Sequence, residues 1–169
     1  MKKTFRYSLA AATLASALTF ASSAQAAASA NADAKAQILS SLTLAQAAGT
    51  SLDFGQIAPN GAGTVKVDAQ GTRTCSALLE CVGTPNPVTF NVTGTANASV
   101  AVTLPVAAVT LSNGTGGSMS LGSFTSYAPN GLTLVGGATT FNVGGTLSVG
   151  AAQAVGSYTG QFAVSVDYN

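Results

Sequence analysis

Cys75 and Cys81 are the only cysteines in this 169-residue chain, and they enclose Ser76-Ala77-Leu78-Leu79-Glu80. Two thiols at that spacing suit a metal site, a redox couple or a structural disulfide. Two sulfurs in a chain without histidine do not complete a tetrahedral zinc shell. A redox pair favours two intervening residues, so the five found here favour a staple. Closing so short a loop is worth on the order of 2 kcal/mol. The lack of histidine also removes the usual general base and every Ser-His arrangement. Asp33, Asp53, Asp68, Glu80 and Asp167 stand singly, with no motif pairing two of them. An enzyme is therefore the least expected class, and no cofactor or metal is called for.

One glycine-rich stretch, Asn113-Gly114-Thr115-Gly116-Gly117, has the look of a phosphate loop. It lacks the lysine and the following helix that phosphate cradling needs, so it is expected to be a hairpin turn. Asn91-Val92-Thr93, Asn97-Ala98-Ser99 and Asn113-Gly114-Thr115 match the glycosylation acceptor pattern. That pattern is frequent by chance in such chains and carries no functional weight.

The elements that must position these residues begin after an expected secretory signal. Met1 to Ala26 has a basic head (Lys2, Lys3, Arg6), an apolar middle from Leu9 to Phe20, and Ala24-Gln25-Ala26 at its end. The apolar run is too short and too rich in small residues to read as a bilayer span. Cleavage near Ala26 leaves Lys35, Lys66 and Arg73 against five acids, a net charge of −2. Such a chain offers nothing for counterion-release binding to nucleic acid, nor a basic amphipathic segment for a membrane surface. About 143 residues make one domain with a sizeable core. Few charges and a positive mean hydropathy suit a protein packed against copies of itself or a partner.

Gly156 to Asn169 alternates strictly: Tyr158, Gly160, Phe162, Val164, Val166 and Tyr168 share one parity, with mostly polar residues on the other. That period of two predicts a strand with one buried face. The thirteen residues from Gly156 to Tyr168 would extend roughly 43 Å, against about 37 Å for a domain of this size, so the strand is expected to run the length of a sheet. Whatever pairs along its free edge must come from elsewhere.

A second alternation lies behind the signal. Ala28, Ala30, Ala32, Ala34, Ala36, Ile38, Leu42 and Leu44 share one parity, and only Leu39 and Ser40 break the pattern. Seventeen residues of strand would measure roughly 56 Å, too long for the domain. The simplest division gives residues 38–169 to the domain and leaves 27–37 as an extension. That extension reads either as an Ala-rich disordered tail or as a strand that pairs outside its own domain.

Between these ends, strands are predicted at Ser51–Ile57, with a bulge at Gly55, and at Gly63–Asp68 after the Pro59-Asn60-Gly61 turn. Others are predicted at Val88–Gly94, Ser99–Leu104, Val109–Ser112, Ser118–Thr125, Leu132–Val135 and Thr139–Val149. Short spacing and Gly, Asn and Pro punctuation predict an all-β antiparallel sandwich.

Several stretches resemble an exported bacterial family, the domain of unknown function 4402 family. They are Leu42-Thr43-Leu44, Leu52-Asp53-Phe54-Gly55 with Ile57, Gly63-Thr64-Val65 with Val67-Asp68, and Arg73. To these are added Phe90 to Gly94, Thr103-Leu104-Pro105, Phe141 to Leu147 with Val149, and Tyr158-Thr159-Gly160. The family name brings no activity with it. More loosely, the chain end resembles chaperone–usher pilin subunits, which carry a penultimate Tyr and a Gly fourteenth from the end, here Tyr168 and Gly156. That resemblance implies an immunoglobulin-like sandwich lacking one strand, which it borrows from a neighbour's N-terminal extension. Two features depart from the pilin pattern: the inward residues of the extension are alanines, and Cys75 with Cys81 does not match the usual pilin disulfide.

The expectation is a structural subunit of a fimbria-like surface polymer. Gly156, Tyr158, Phe162, Val164, Val166 and Tyr168 would line the strand-pairing groove, and Ala28, Ala30, Ala32, Ala34, Ala36 and Ile38 would be the donor strand. The partners implied are pilin-like neighbours, a periplasmic chaperone and an outer-membrane usher, with passage through the periplasm to the cell surface. The alternative is a self-complete monomeric sandwich serving as an exported surface or binding module, which would pair its C-terminal edge within its own chain.

Overall fold

Alternating valine, threonine and leucine, broken by Gly, Asn and Pro, favour pleated strands with tight turns. The computed structural model, which describes residues 27–129 and 131–169, is accordingly an all-β antiparallel sandwich. Its strands are β1 (Thr43–Gln46), β2 (Gln56–Pro59), β3 (Gly63–Val67), β4 (Arg73–Cys75), β5 (Leu79–Val82), β6 (Val88–Thr93), β7 (Val100–Thr103), β8 (Val109–Ser112), β9 (Ser118–Tyr127), β10 (Ala138–Val149) and β11 (Ser165–Tyr168). The expected signal, Met1 to Ala26, lies outside the described residues. The chain divides into two units between Ala36 and Gln37.

The second unit is built on β10. Along one edge it pairs with β9; the other edge is shared end to end by β6, from Ala138↔Thr93 to Val143↔Val88, and β3, from Gly145↔Val67 to Val149↔Gly63. The handover falls at Gly144-Gly145, where the β9 register also shifts. A side chain at Gly144 would run into the backbone of Val67, Asp68 and Ala69, so only glycine lets β3 approach there. Beyond these partners, β1 extends from β6, β4 from β3 and β8 from β9, completing a seven-stranded sheet.

Two ribbons make up the second layer. The β7–β11 ribbon packs over the β6 half of β10, around Val88, Val92, Val100, Phe141 and Val143. The β2–β5 ribbon packs over the β3 half, around Val65, Val67, Leu79, Leu147 and Val149. Leu52, Phe124 and Phe162 touch both clusters and join them into one core. Each fully buried Val, Leu or Phe contributes about 1.5–3 kcal/mol. Cys75 and Cys81 form the expected disulfide, which ties β4 of the sheet to β5 of the ribbon.

Four expectations are corrected. Ser51–Ile57 is not one strand: Asp53 makes a single bridge to Asn86, the backbone bends at Gly55 with φ 75°, and the ladder covers Gln56–Pro59 instead. Leu132–Val135 is not a strand: Thr133 makes a single bridge to Ser99, and a 3-10 turn follows at Val135–Gly137, where Gly136 and Gly137 have positive φ. The first strand of the domain begins at Thr43, leaving Ile38 91% exposed. The C-terminal segment is not one long strand, because only Ser165–Tyr168 forms a ladder, preceded by one bridge between Thr159 and Ser112.

The ladder stops for a reason visible in the sequence. The amide of Asn169 donates to the Ser99 carbonyl, which fixes the alternation so that Ser165 and Thr103 are a hydrogen-bonded pair. The next such pair would match Ala163 with Pro105, which has no N–H to give.

Candidate strand-pairing site

The second layer is interrupted between its two ribbons, and the interruption is a groove. One wall is Ser51–Pro59; the other is Gln153–Phe162, the segment leading into β11. Two adjoining cavities of about 480 and 500 Å³ lie along it and share Leu52, Asp53, Phe54, Leu111 and Tyr158. The floor is the seven-stranded sheet itself, through Leu111 of β8, Met119 and Leu121 of β9, and Leu147 and Val149 of β10.

The first wall is held from behind. Asp53 exchanges backbone hydrogen bonds with Asn86, and β2 pairs along its length with β5. Gly55 has φ 75°, and its Asp53 neighbour accepts the Gly55 amide through Oδ1 at 2.8 Å. Arg73, at the start of β4, reaches behind this bend and donates to three carbonyls: Phe54 at 3.1 Å, Val82 at 3.0 Å and Cys81 at 3.0 Å. A Cβ at Gly55 would sit 2.5 Å from both the Arg73 Nη1 and the Val82 oxygen. The guanidinium fork and the disulfide thus fix the wall to the sheet by two independent links.

The opposite wall is different. Gly160–Val164 make no backbone–backbone hydrogen bond among the described residues, although Phe162 and Val164 are half-buried against the core. The Tyr158 hydroxyl donates to the Ala154 carbonyl and accepts from Gln153 Nε2, each at 2.7 Å, closing the loop above. A Cβ at Gly160 would lie 2.6 Å from Leu111, so only glycine lets the segment settle this close to the floor.

Residues 42–168 match the model of the family described as Domain of unknown function (DUF4402). The chain belongs to that family. No curated protein and no solved structure matches it significantly. Two stretches on which the resemblance to DUF4402 rested, Leu52-Asp53-Phe54-Gly55 and Tyr158-Thr159-Gly160, stand on opposite walls of the groove. A third, Arg73, clamps one of them.

Of the groove residues expected from the sequence of this DUF4402 chain, Gly156, Tyr158 and Phe162 line the cavities. Val164, Val166 and Tyr168 continue the same half-buried face against the second half of the core. Gly156 sits in a bend at φ 144°, beside Asn113, rather than in a strand. Tyr168 has a partner of its own: its hydroxyl accepts from the Thr95 amide at 2.7 Å and donates to the Ser40 carbonyl at 2.9 Å. Ala28, Ala30, Ala32, Ala34 and Ala36 belong to the other unit, form no strand and expose their side chains. The floor residues Leu111, Met119 and Leu147 were not singled out from the sequence. Arg73 carried a signal, being the sole arginine after residue 6 in a chain of few charges.

Proposed function

We propose that this protein is a structural subunit of a fimbria-like surface polymer, whose groove receives the extended Ala28–Ile38 segment of the next copy. The observation that supports this reading is the interrupted second layer: an apolar floor between two walls, one of them with unpaired backbone over Gly160–Val164. An extended segment laid there would gain main-chain hydrogen bonds worth about 0.5–1.5 kcal/mol each, by strand addition. The reading calls for export by a cleaved signal, with a periplasmic chaperone and an outer-membrane usher as handling partners.

A second reading, a self-complete monomeric exported sandwich acting as a surface or binding module, is favoured by one observation. The apolar face of the C-terminal segment, Phe162 to Tyr168, already packs on the core of its own chain. Deleting Ala28 to Gln37 separates the two. The polymer reading expects heat-sensitive, denaturant-resistant ladders from the intact protein and none from the deletion. Ladders that persist in the deletion, or that never form with the intact chain, leave only the monomeric module.

A further inference from the structure

We infer that the groove selects its occupant by side-chain size, admitting an extended segment whose inward residues are no larger than alanine: Ala28–Ala36 of a second copy. The inference rests on the strand-pairing reading and specifies its partner. Three observations carry it. First, the floor is nearly closed without any occupant, since Leu111 is 8% exposed, Leu121 3%, Leu147 2% and Val149 5%. A site shaped for leucyl or phenylalanyl knobs would leave such residues open when empty. Second, the Gly160 wall stands so close to Leu111 that even a Cβ is excluded there. Third, the nine residues Ala28–Ala36 span about 30 Å when extended, enough to follow the nine-residue Ser51–Pro59 wall past its bend at Gly55.

With so little apolar area left to cover, the main chain supplies most of the affinity, and side chains act chiefly by exclusion. The outward residues of the segment, Ser29, Asn31, Asp33 and Lys35, keep it soluble before pairing. Alanine in place of bulkier inward residues is thus the form that this floor requires.

The test uses the full chain from Ala27 and a fluorescent peptide spanning Ala28 to Ala36, with binding read by anisotropy. Ala32→Leu in the peptide should weaken binding at least tenfold, and Ala32→Ser, of similar size, should change it less than threefold. Leu111→Ala in the protein should restore much of the loss with the Leu peptide. Should that variant not fold, Met119→Ala, at the half-buried margin of the floor, serves the same purpose. Equal binding of the wild-type and Leu peptides overturns size selection while leaving strand pairing in place. Binding by neither peptide overturns both.

Discussion

Arg73 offers the sharpest test of how the groove wall is held. Its guanidinium donates to the carbonyls of Phe54, Cys81 and Val82, joining β4, β5 and the wall segment at one point. Hydrogen bonds involving a charged group contribute about 1.5–3 kcal/mol each. Those to Phe54 and Cys81 are part-buried, whereas the Val82 contact is exposed and water replaces the donor there. Counting the two part-buried bonds, less partial rehydration, Arg73→Met should destabilise the domain by about 3 kcal/mol. Lysine offers a point charge rather than a planar fork, so Arg73→Lys should recover half of that or less. Urea unfolding followed by circular dichroism measures both, and the midpoint should fall with an unchanged slope. A loss below about 0.5 kcal/mol for Met, the range of an ordinary surface substitution, would refute the clamp. Full recovery by Lys would show that charge matters and the fork does not.

Three further outcomes follow from the same geometry. Tyr168→Phe removes a hydroxyl bonded to the Thr95 amide and the Ser40 carbonyl; a loss of about 1–2 kcal/mol is expected by urea titration, and an unchanged midpoint would contradict it. Replacing Cys75 and Cys81 together by alanine unties β4 from β5, and should cost on the order of 2 kcal/mol, with reducing agent lowering the wild-type midpoint and leaving the double variant unmoved. Gly160→Ala places a methyl 2.6 Å from Leu111 and 2.8 Å from the Thr110 carbonyl oxygen, and overpacking of this kind costs about 1–3 kcal/mol. A neutral result in thermal unfolding would mean that the segment can lift from the floor.

Local pattern carried the hairpin and sheet strands well. Val109–Ser112 is β8 as expected, and Asn113–Gly117 is the turn to β9, with Asn113 Oδ1 accepting the amides of Thr115 and Gly117. The disulfide was legible because the chain offers only two thiols and no competing ligand. Pairing partners were not legible, because they depend on contacts distant in sequence. Gln56–Pro59 and Gly63–Val67 flank one turn, yet β2 pairs with β5 and β3 with β10 and β4. Nothing in the alternation reveals that β10 serves two strands on one edge. The pair Gly144-Gly145 that makes this possible reads in the sequence as an ordinary weak point in a strand.

The C-terminal segment shows why a two-residue period fixes a face but not a partner. Phe162, Val164, Val166 and Tyr168 are all half-buried while Gln161, Ala163, Ser165 and Asp167 are exposed, so the alternation holds throughout. The ladder nevertheless covers only the last four of those positions, because Pro105 withholds the N–H that the next pair needs. The far edge of β11 pairs with no strand among the described residues. Free edges are ordinarily blunted by lysine, proline, bulges or inward-pointing charge. Between Gly156 and Asn169 there is no lysine or proline, and the one charge, Asp167, points outward. An unguarded edge beside an apolar groove, in a chain of few charges, would associate unselectively if left bare. A covering strand would close such an edge, and that is the role the proposed function assigns to the alanine-bearing segment.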